Sequence, residues 1–204
     1  MDRTQVPREL HAIADEDLML AYAGGDAVAF ERLYDRHEAA VYRFLLRSVR
    51  VPAAAEELLQ EVWLAVVRNA GRYRPQAAFR TWLYRIARTR LIDHWRARDP
   101  ALVLSLDAPA GGYGSDCDLP LGETIACEQS LQPEVQAVAR AQALAIVAAV
   151  EALPPAQREA VLLHAEGELT LAQIAEVTGV GIETAKSRLR YALNKLRVVR
   201  QEWT

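Results

Sequence analysis

Two stretches of this sequence gather side chains suited to binding rather than to bond-making. Residues 68–98, RNAGRYRPQAAFRTWLYRIARTRLIDHWRAR, hold nine arginines against one acid, Asp93, with Tyr73, Phe79, Trp82, Tyr84 and Trp95 among them. Unstacked bases take a ring face and phosphates take a cation, so this mixture suits single-stranded nucleic acid. Of the rings, Phe79 and Trp82 fall on an apolar helical face and read as core, whereas Tyr73 falls in a loop and has the stronger binding claim. Residues 169–197, LTLAQIAEVTGVGIETAKSRLRYALNKLR, form the second stretch. Thr170 with Gln173 makes a capping box for a short helix, and Gly179 ends it where left-handed backbone is wanted. A turn then leads to a longer basic helix with Ile182, Ala185, Leu189, Leu193 and Leu196 on its inner face. Short helix, glycine-containing turn and basic second helix make a helix-turn-helix. Its outward positions, Glu183, Thr184, Lys186, Ser187, Arg188, Arg190 and Tyr191, are then the ones to meet duplex DNA in the major groove.

Reaction chemistry has no comparable signal. His11, His37, His94 and His164 are scattered, and none sits in a nucleophile or metal motif. The two cysteines, Cys117 and Cys127, lack the further Cys or His that a zinc site needs. The sequence therefore predicts no enzyme activity, no cofactor and no metal. An enzyme acting on nucleic acid would need a carboxylate cluster or a His/Cys site that the chain does not show. No run of 18 apolar residues occurs, and the first ten residues lack the basic-then-apolar order of a signal peptide. The expectation is a cytoplasmic protein without membrane insertion.

These binding stretches need elements to hold them. The net charge of −3 over 204 residues argues, as a total, against a nucleic-acid partner. By segment it resolves into −5 for residues 1–67, +8 for 68–98, −9 for 99–168 and +5 for 183–200. Of the 24 basic residues 22 are arginine, the side chain suited to bidentate phosphate and base-edge contacts. Asp15 or Asp17 is placed to cap a short helix through Ala23, stopped by Gly24-Gly25, and Asp26 to cap a longer one. Val51-Pro52 breaks that second helix. A third is expected from about Ala53 to Asn69, and a fourth from Phe79 to about Arg98. On the third helix Glu56, Glu57, Gln60 and Glu61 make a polar patch, which spacing alone reads as a solvated face. Residues 99–133 lose periodicity and are rich in Gly, Pro, Ser and Asp, the chemistry of a flexible linker. Four more helices follow. The expected fold is all-α: a four-helix domain at 1–98, an acidic linker at 99–133, and a four-helix domain with the helix-turn-helix at 134–204.

The AGGDAVAFERLYDRH opening, the AAEELLQEVWLAV helix, FRTWLYRIARTRLIDHWR and the C-terminal LPPAQREAVLLHAEGELTLAQIAEVTGVGIETAKSRLRYAL together resemble the extracytoplasmic-function (ECF) sigma factors of bacterial RNA polymerase. The resemblance covers about residues 15–98 and 135–198. It implies a sigma region 2-like first domain and a region 4-like second one. It further implies that Glu56, Glu57, Gln60 and Glu61 bind core RNA polymerase through the β′ coiled coil, with the β subunit also contacted. The minus-ten element would be recognised and melted by Arg72, Tyr73, Arg74, Phe79, Arg80, Arg88, Arg90 and Arg96. The minus-thirty-five element would be read as duplex by Glu183, Thr184, Lys186, Ser187, Arg188, Arg190 and Tyr191. The linker would thread through the polymerase towards the RNA exit path. An anti-sigma factor covering both domains is a further implied partner. Thr89, Glu183 and Tyr191 depart from the residues common in the family, so no relative's promoter sequence transfers to this chain. The alternative is a stand-alone helix-turn-helix regulator with a helical sensor domain, which leaves residues 56–98 without a role.

Overall fold

The structure, a computed structural model, describes residues 13–98 and 133–201. Of the linker read at 99–133, residues 99–132, with Cys117 and Cys127, lie outside them, and Pro133 is the first residue of a helix. Among the described residues there are helices and no strands. The first group is α1 (Asp15–Ala23), α2 (Ala27–Val49), α3 (Pro52–Asn69) and α4 (Phe79–Arg98). The second is α5 (Pro133–Glu151), α6 (Pro155–Ala165), α7 (Leu171–Thr178) and α8 (Ile182–Gln201).

Local chemistry sets most of these boundaries. Asp26 caps α2 by accepting the backbone N–H groups of Val28 at 2.9 Å and Ala29 at 3.3 Å. Pro52 opens α3 at the first helical position, where a missing N–H costs nothing. The start of α1 is a correction: its N-cap is Ala14, without a side-chain cap, and Asp15 turns to α2 instead. There it accepts from Arg36 Nη1 at 2.7 Å and pairs with His37 Nε2 at 2.8 Å. Burial alone would raise the Asp15 pKa. The hydrogen bonds from His37 and Arg36, with their charges, outweigh it and bring it down to about 2.

Leu33, Val41, Phe44, Leu45, Val62, Val66, Phe79, Leu83 and Leu91 fill the centre of the first group. Tyr22, Phe30, Tyr34 and Trp63 stack along one side, with Tyr34 and Trp63 ring centroids 4.9 Å apart. Leu163, Leu169, Ile174, Ala185, Leu189 and Ala192 form the core of the second group. The two groups lie against each other, α4 on α7 and α2 on α6, and their buried apolar residues run together as one cluster.

Candidate nucleic-acid and polymerase interfaces

The helix-turn-helix is built as its sequence dictates. Thr170 Oγ1 accepts the Gln173 N–H at 3.4 Å, and Gln173 Oε1 accepts the Thr170 N–H at 2.8 Å, closing the capping box on α7. Gly179 takes φ +71° and donates its N–H to the Ala175 carbonyl at 2.9 Å, so the chain turns into α8 at no steric cost. Glu183 and Lys186 are exposed at the start of α8, and Thr184, Ser187, Arg190 and Tyr191 are partly exposed. The Arg190 guanidinium lies 5.3 Å from the centre of the Tyr191 ring.

Two positions on α8 differ from expectation. Arg188, expected to point outward, is only 3% exposed, and Ile182, expected inward, is 54% exposed. For Arg188 the reason is that α8 is packed against α5, α6 and α7 together, which buries a wider arc than a one-sided surface helix. Arg188 lies three residues after Ala185 and four before Ala192, both fully buried. It therefore shares their face, where two small side chains leave room for a long one.

At the other basic block, α4 starts with a long-range cap. Glu16 Oε1, on α1, accepts the Phe79 backbone N–H at 2.7 Å. The segment before it opens with a 3₁₀ turn, Ala70–Arg72, and leaves Arg72 and Arg74 exposed. Arg74 Nη1 donates to the Tyr73 carbonyl at 2.8 Å. Tyr73, the loop ring with the stronger binding claim, is 2% exposed. Its ring meets Trp82 at 5.0 Å and Phe79 at 6.2 Å, and its hydroxyl has no hydrogen-bond partner. Burial, with the Glu16 and Asp15 carboxylates nearby, pushes that hydroxyl's pKa up to about 12. Phe79 is fully buried and Trp82 half-buried, in keeping with the core reading of both.

The remaining arginines of α4 split into two sets. Arg90 and Arg96 flank Asp93 at 4.0 and 3.8 Å. Arg80 and Arg88 reach carboxylates of the second group, Arg80 bonding to Glu168 and Arg88 Nε donating to Glu159 Oε1 at 2.8 Å. Sequence reasoning did not anticipate these cross-group pairs, which also draw in Arg43, Arg47, Arg85, Glu166 and Glu176. For Arg80–Glu168 and Arg88–Glu159 the signal available to it was the opposite charge of residues 68–98 and 99–168.

On α3, Glu56, Glu57, Gln60 and Glu61 are all exposed, and Leu64 and Val67 continue the same face into an apolar patch. Leu64 is 52% and Val67 40% exposed. Among the described residues, no three His, Cys, Asp or Glu side chains are grouped to hold a metal ion. Within the same residues no helix is long and apolar enough to cross a membrane.

An all-α chain with a capped helix-turn-helix in one half and an arginine-rich helical group in the other defines a two-part DNA-binding architecture. The family model for Sigma-70 region 2 matches residues 33–100, and that for Sigma-70 region 4 matches residues 143–196. An ECF RNA polymerase sigma factor SigK of Mycolicibacterium vanbaalenii is 32% identical over 181 residues, covering 88% of this chain and 86% of that one. The ECF RNA polymerase sigma factor RpoE of Cereibacter sphaeroides is 31% identical, covering 96% and 95%. The fold is also that of CnrH, solved in complex with the cytosolic domain of CnrY, at TM-score 0.62 and 21% identity over 93% of this chain and 99% of that one. The chain belongs to the ECF sigma factors of RNA polymerase. It is a sigma factor that directs transcription initiation, a regulator class that is in general non-enzymatic.

Proposed function

We propose that this sigma factor recruits core RNA polymerase through α3 and divides promoter recognition between its two halves. The observation that carries this reading is the presentation of three separate surfaces: the acidic and apolar face of α3, the exposed Arg72–Arg74 turn with the arginines of α4, and the exposed first turns of α8. Glu56, Glu57, Gln60 and Glu61, continued by Leu64 and Val67, dock on the polymerase, in the family pattern on the β′ coiled coil. Arg72, Arg74, Arg80, Arg88, Arg90 and Arg96 serve the minus-ten element, with phosphates as their first partners. Glu183, Thr184, Lys186, Ser187, Arg190 and Tyr191 face the minus-thirty-five duplex. The protein works in the cytoplasm, where core polymerase and promoter DNA are. CnrH was solved with CnrY, and the RpoE of Bartonella quintana, of TM-score 0.59, with the anti-sigma factor NepR. An anti-sigma factor is accordingly a proposed partner here.

Capture of core polymerase followed by run-off transcription tests the reading. The wild-type chain binds core enzyme and confers promoter-specific initiation. A Glu57→Ala/Gln60→Ala/Leu64→Asp variant loses core binding while keeping its helical content. A variant that still captures core enzyme at wild-type affinity overturns the α3 assignment.

A further inference from the structure

The loop that carries Arg72 and Arg74 is held from beneath rather than along its own length. Its last two residues, Ala77 and Ala78, have no side-chain acceptor, so the loop cannot cap the helix it leads into. The cap comes instead from α1, where Glu16 Oε1 accepts the Phe79 N–H at 2.7 Å. That helix is itself pinned: Leu18 and Met19 are buried in the first core, and Asp15 binds Arg36 at 2.7 Å and His37 at 2.8 Å on α2. Tyr73 supplies a second anchor. Its ring lies against Trp82 at 5.0 Å and Phe79 at 6.2 Å, with the Glu16 and Asp15 carboxylates near its hydroxyl. Its backbone is extended, with φ −59° and ψ 135°, a conformation in which neighbouring side chains diverge. With the ring turned inward, Arg72 and Arg74 are turned out to solvent, and Arg74 Nη1 is steadied by the Tyr73 carbonyl at 2.8 Å.

Both anchors converge on one side chain of α1. We propose that Glu16 is a positioning residue for the minus-ten element: by holding the Phe79 N–H it fixes where the 70–78 loop ends, and with that the direction in which Arg72 and Arg74 meet the separated strand. The proposal rests on the reading that these two arginines serve the minus-ten element. Among the described residues the hydrogen-bond partner of Glu16 is the Phe79 N–H, so it acts on the arginines through the backbone and not by pairing with them. A loop ordered only as the strand arrives gives up binding free energy at that moment, whereas a loop ordered beforehand does not. The effect of Glu16 therefore falls on strand opening, which uses this loop, and not on the surfaces of α3 and α8.

The test uses the full chain assembled with core polymerase, on a promoter fragment that the wild-type holoenzyme opens, with 2-aminopurine placed in the minus-ten region. Glu16→Ala opens the fragment about fivefold more slowly, the worth of a lost helix cap, while capturing core polymerase and using the upstream element as wild type does. Glu16→Gln keeps an oxygen acceptor for the Phe79 N–H and restores most of the rate. In the Arg72→Ala/Arg74→Ala background opening is already slow, and Glu16→Ala slows it no further, because the groups it aims are gone. A merely structural role would instead lower core capture and opening together, and Glu16→Ala would add its full effect to that of the arginine variant. Either of those results overturns the proposal. So does opening at the wild-type rate by Glu16→Ala while the arginine variant stays slow, a result that leaves the minus-ten reading of the loop standing. That reading fails, and the proposal with it, if Arg72→Ala/Arg74→Ala itself opens the fragment at the wild-type rate.

Discussion

Glu16 on α1 caps a helix that starts 63 residues later: its Oε1 accepts the Phe79 N–H at 2.7 Å. The N-terminus of α4 would otherwise carry an unsatisfied donor beside the exposed Arg72–Arg74 turn, and a carboxylate there also complements the helix dipole. Glu16→Ala is expected to cost about 1 kcal/mol of stability, as loss of an N-cap does. Hydrogen exchange should quicken at the first turn of α4 more than elsewhere, and Glu16→Gln should recover part of the protection. Uniform quickening across the chain would contradict a local capping role.

Asp15 supplies a pH signature. Its folded pKa of about 2 lies below the unfolded value of about 3.8, so its contribution is fully present above pH 4. That contribution is lost as pH falls towards 2, and a shift of this size is worth about 2 kcal/mol. Asp15→Asn should therefore lower the denaturation free energy by about 2 kcal/mol at pH 7, with the gap between the two proteins narrowing below pH 4. A gap independent of pH would assign the loss to packing.

Tyr73 is best probed by removing one atom. Its hydroxyl is buried without a partner, so Tyr73→Phe should be neutral or slightly stabilising and leave promoter opening intact. Tyr73→Ala removes a ring packed on Phe79 and Trp82 and should cost about 3–5 kcal/mol. Thermal melting separates the two, and a strand-opening defect in a stable Tyr73→Phe protein would restore a direct role for the hydroxyl.

Arg188 and Lys186 should part ways although they are two residues apart. With Arg188 buried and Lys186 exposed, Arg188→Ala is expected to destabilise the second half by about 2 kcal/mol. Lys186→Ala should leave melting unchanged and weaken upstream-element use at higher salt. Glu183→Ala should relax base preference at one position, by about 1–3 kcal/mol. Promoter-variant transcription alongside melting curves distinguishes them.

What the sequence made legible was what neighbours along the chain decide. The Asp26 cap, the Thr170–Gln173 box, the Gly179 turn and the break at Val51-Pro52 depend on residues within a few positions, and all are where the spacing puts them, with Pro52 itself opening α3 one residue before the expected Ala53. The burial of Tyr73 was not legible because it is supplied by Phe79, Trp82 and the start of α1, not by the loop that carries it. Asp15 was misread as a cap because its partners, Arg36 and His37, lie on the next helix. The pairs between the halves join residues 71 to 123 positions apart; opposite charge in bulk hinted at Arg88–Glu159, whereas Arg43–Glu166 joins two segments that are both net negative. On α8 periodicity marked the buried face, but its width depended on three packing partners rather than one.

That width has a consequence for re-engineering. With Ala185, Arg188, Leu189 and Ala192 committed to the interior, the strip of α8 open to variation is Glu183, Thr184, Lys186, Ser187, Arg190 and Tyr191. At 1.5 Å of rise per residue it runs about 12 Å, the height of roughly three to four stacked base pairs at 3.4 Å each. A library randomised at those six codons therefore samples nearly the whole vocabulary this helix has for duplex DNA, and wider randomisation mostly adds unfolded clones.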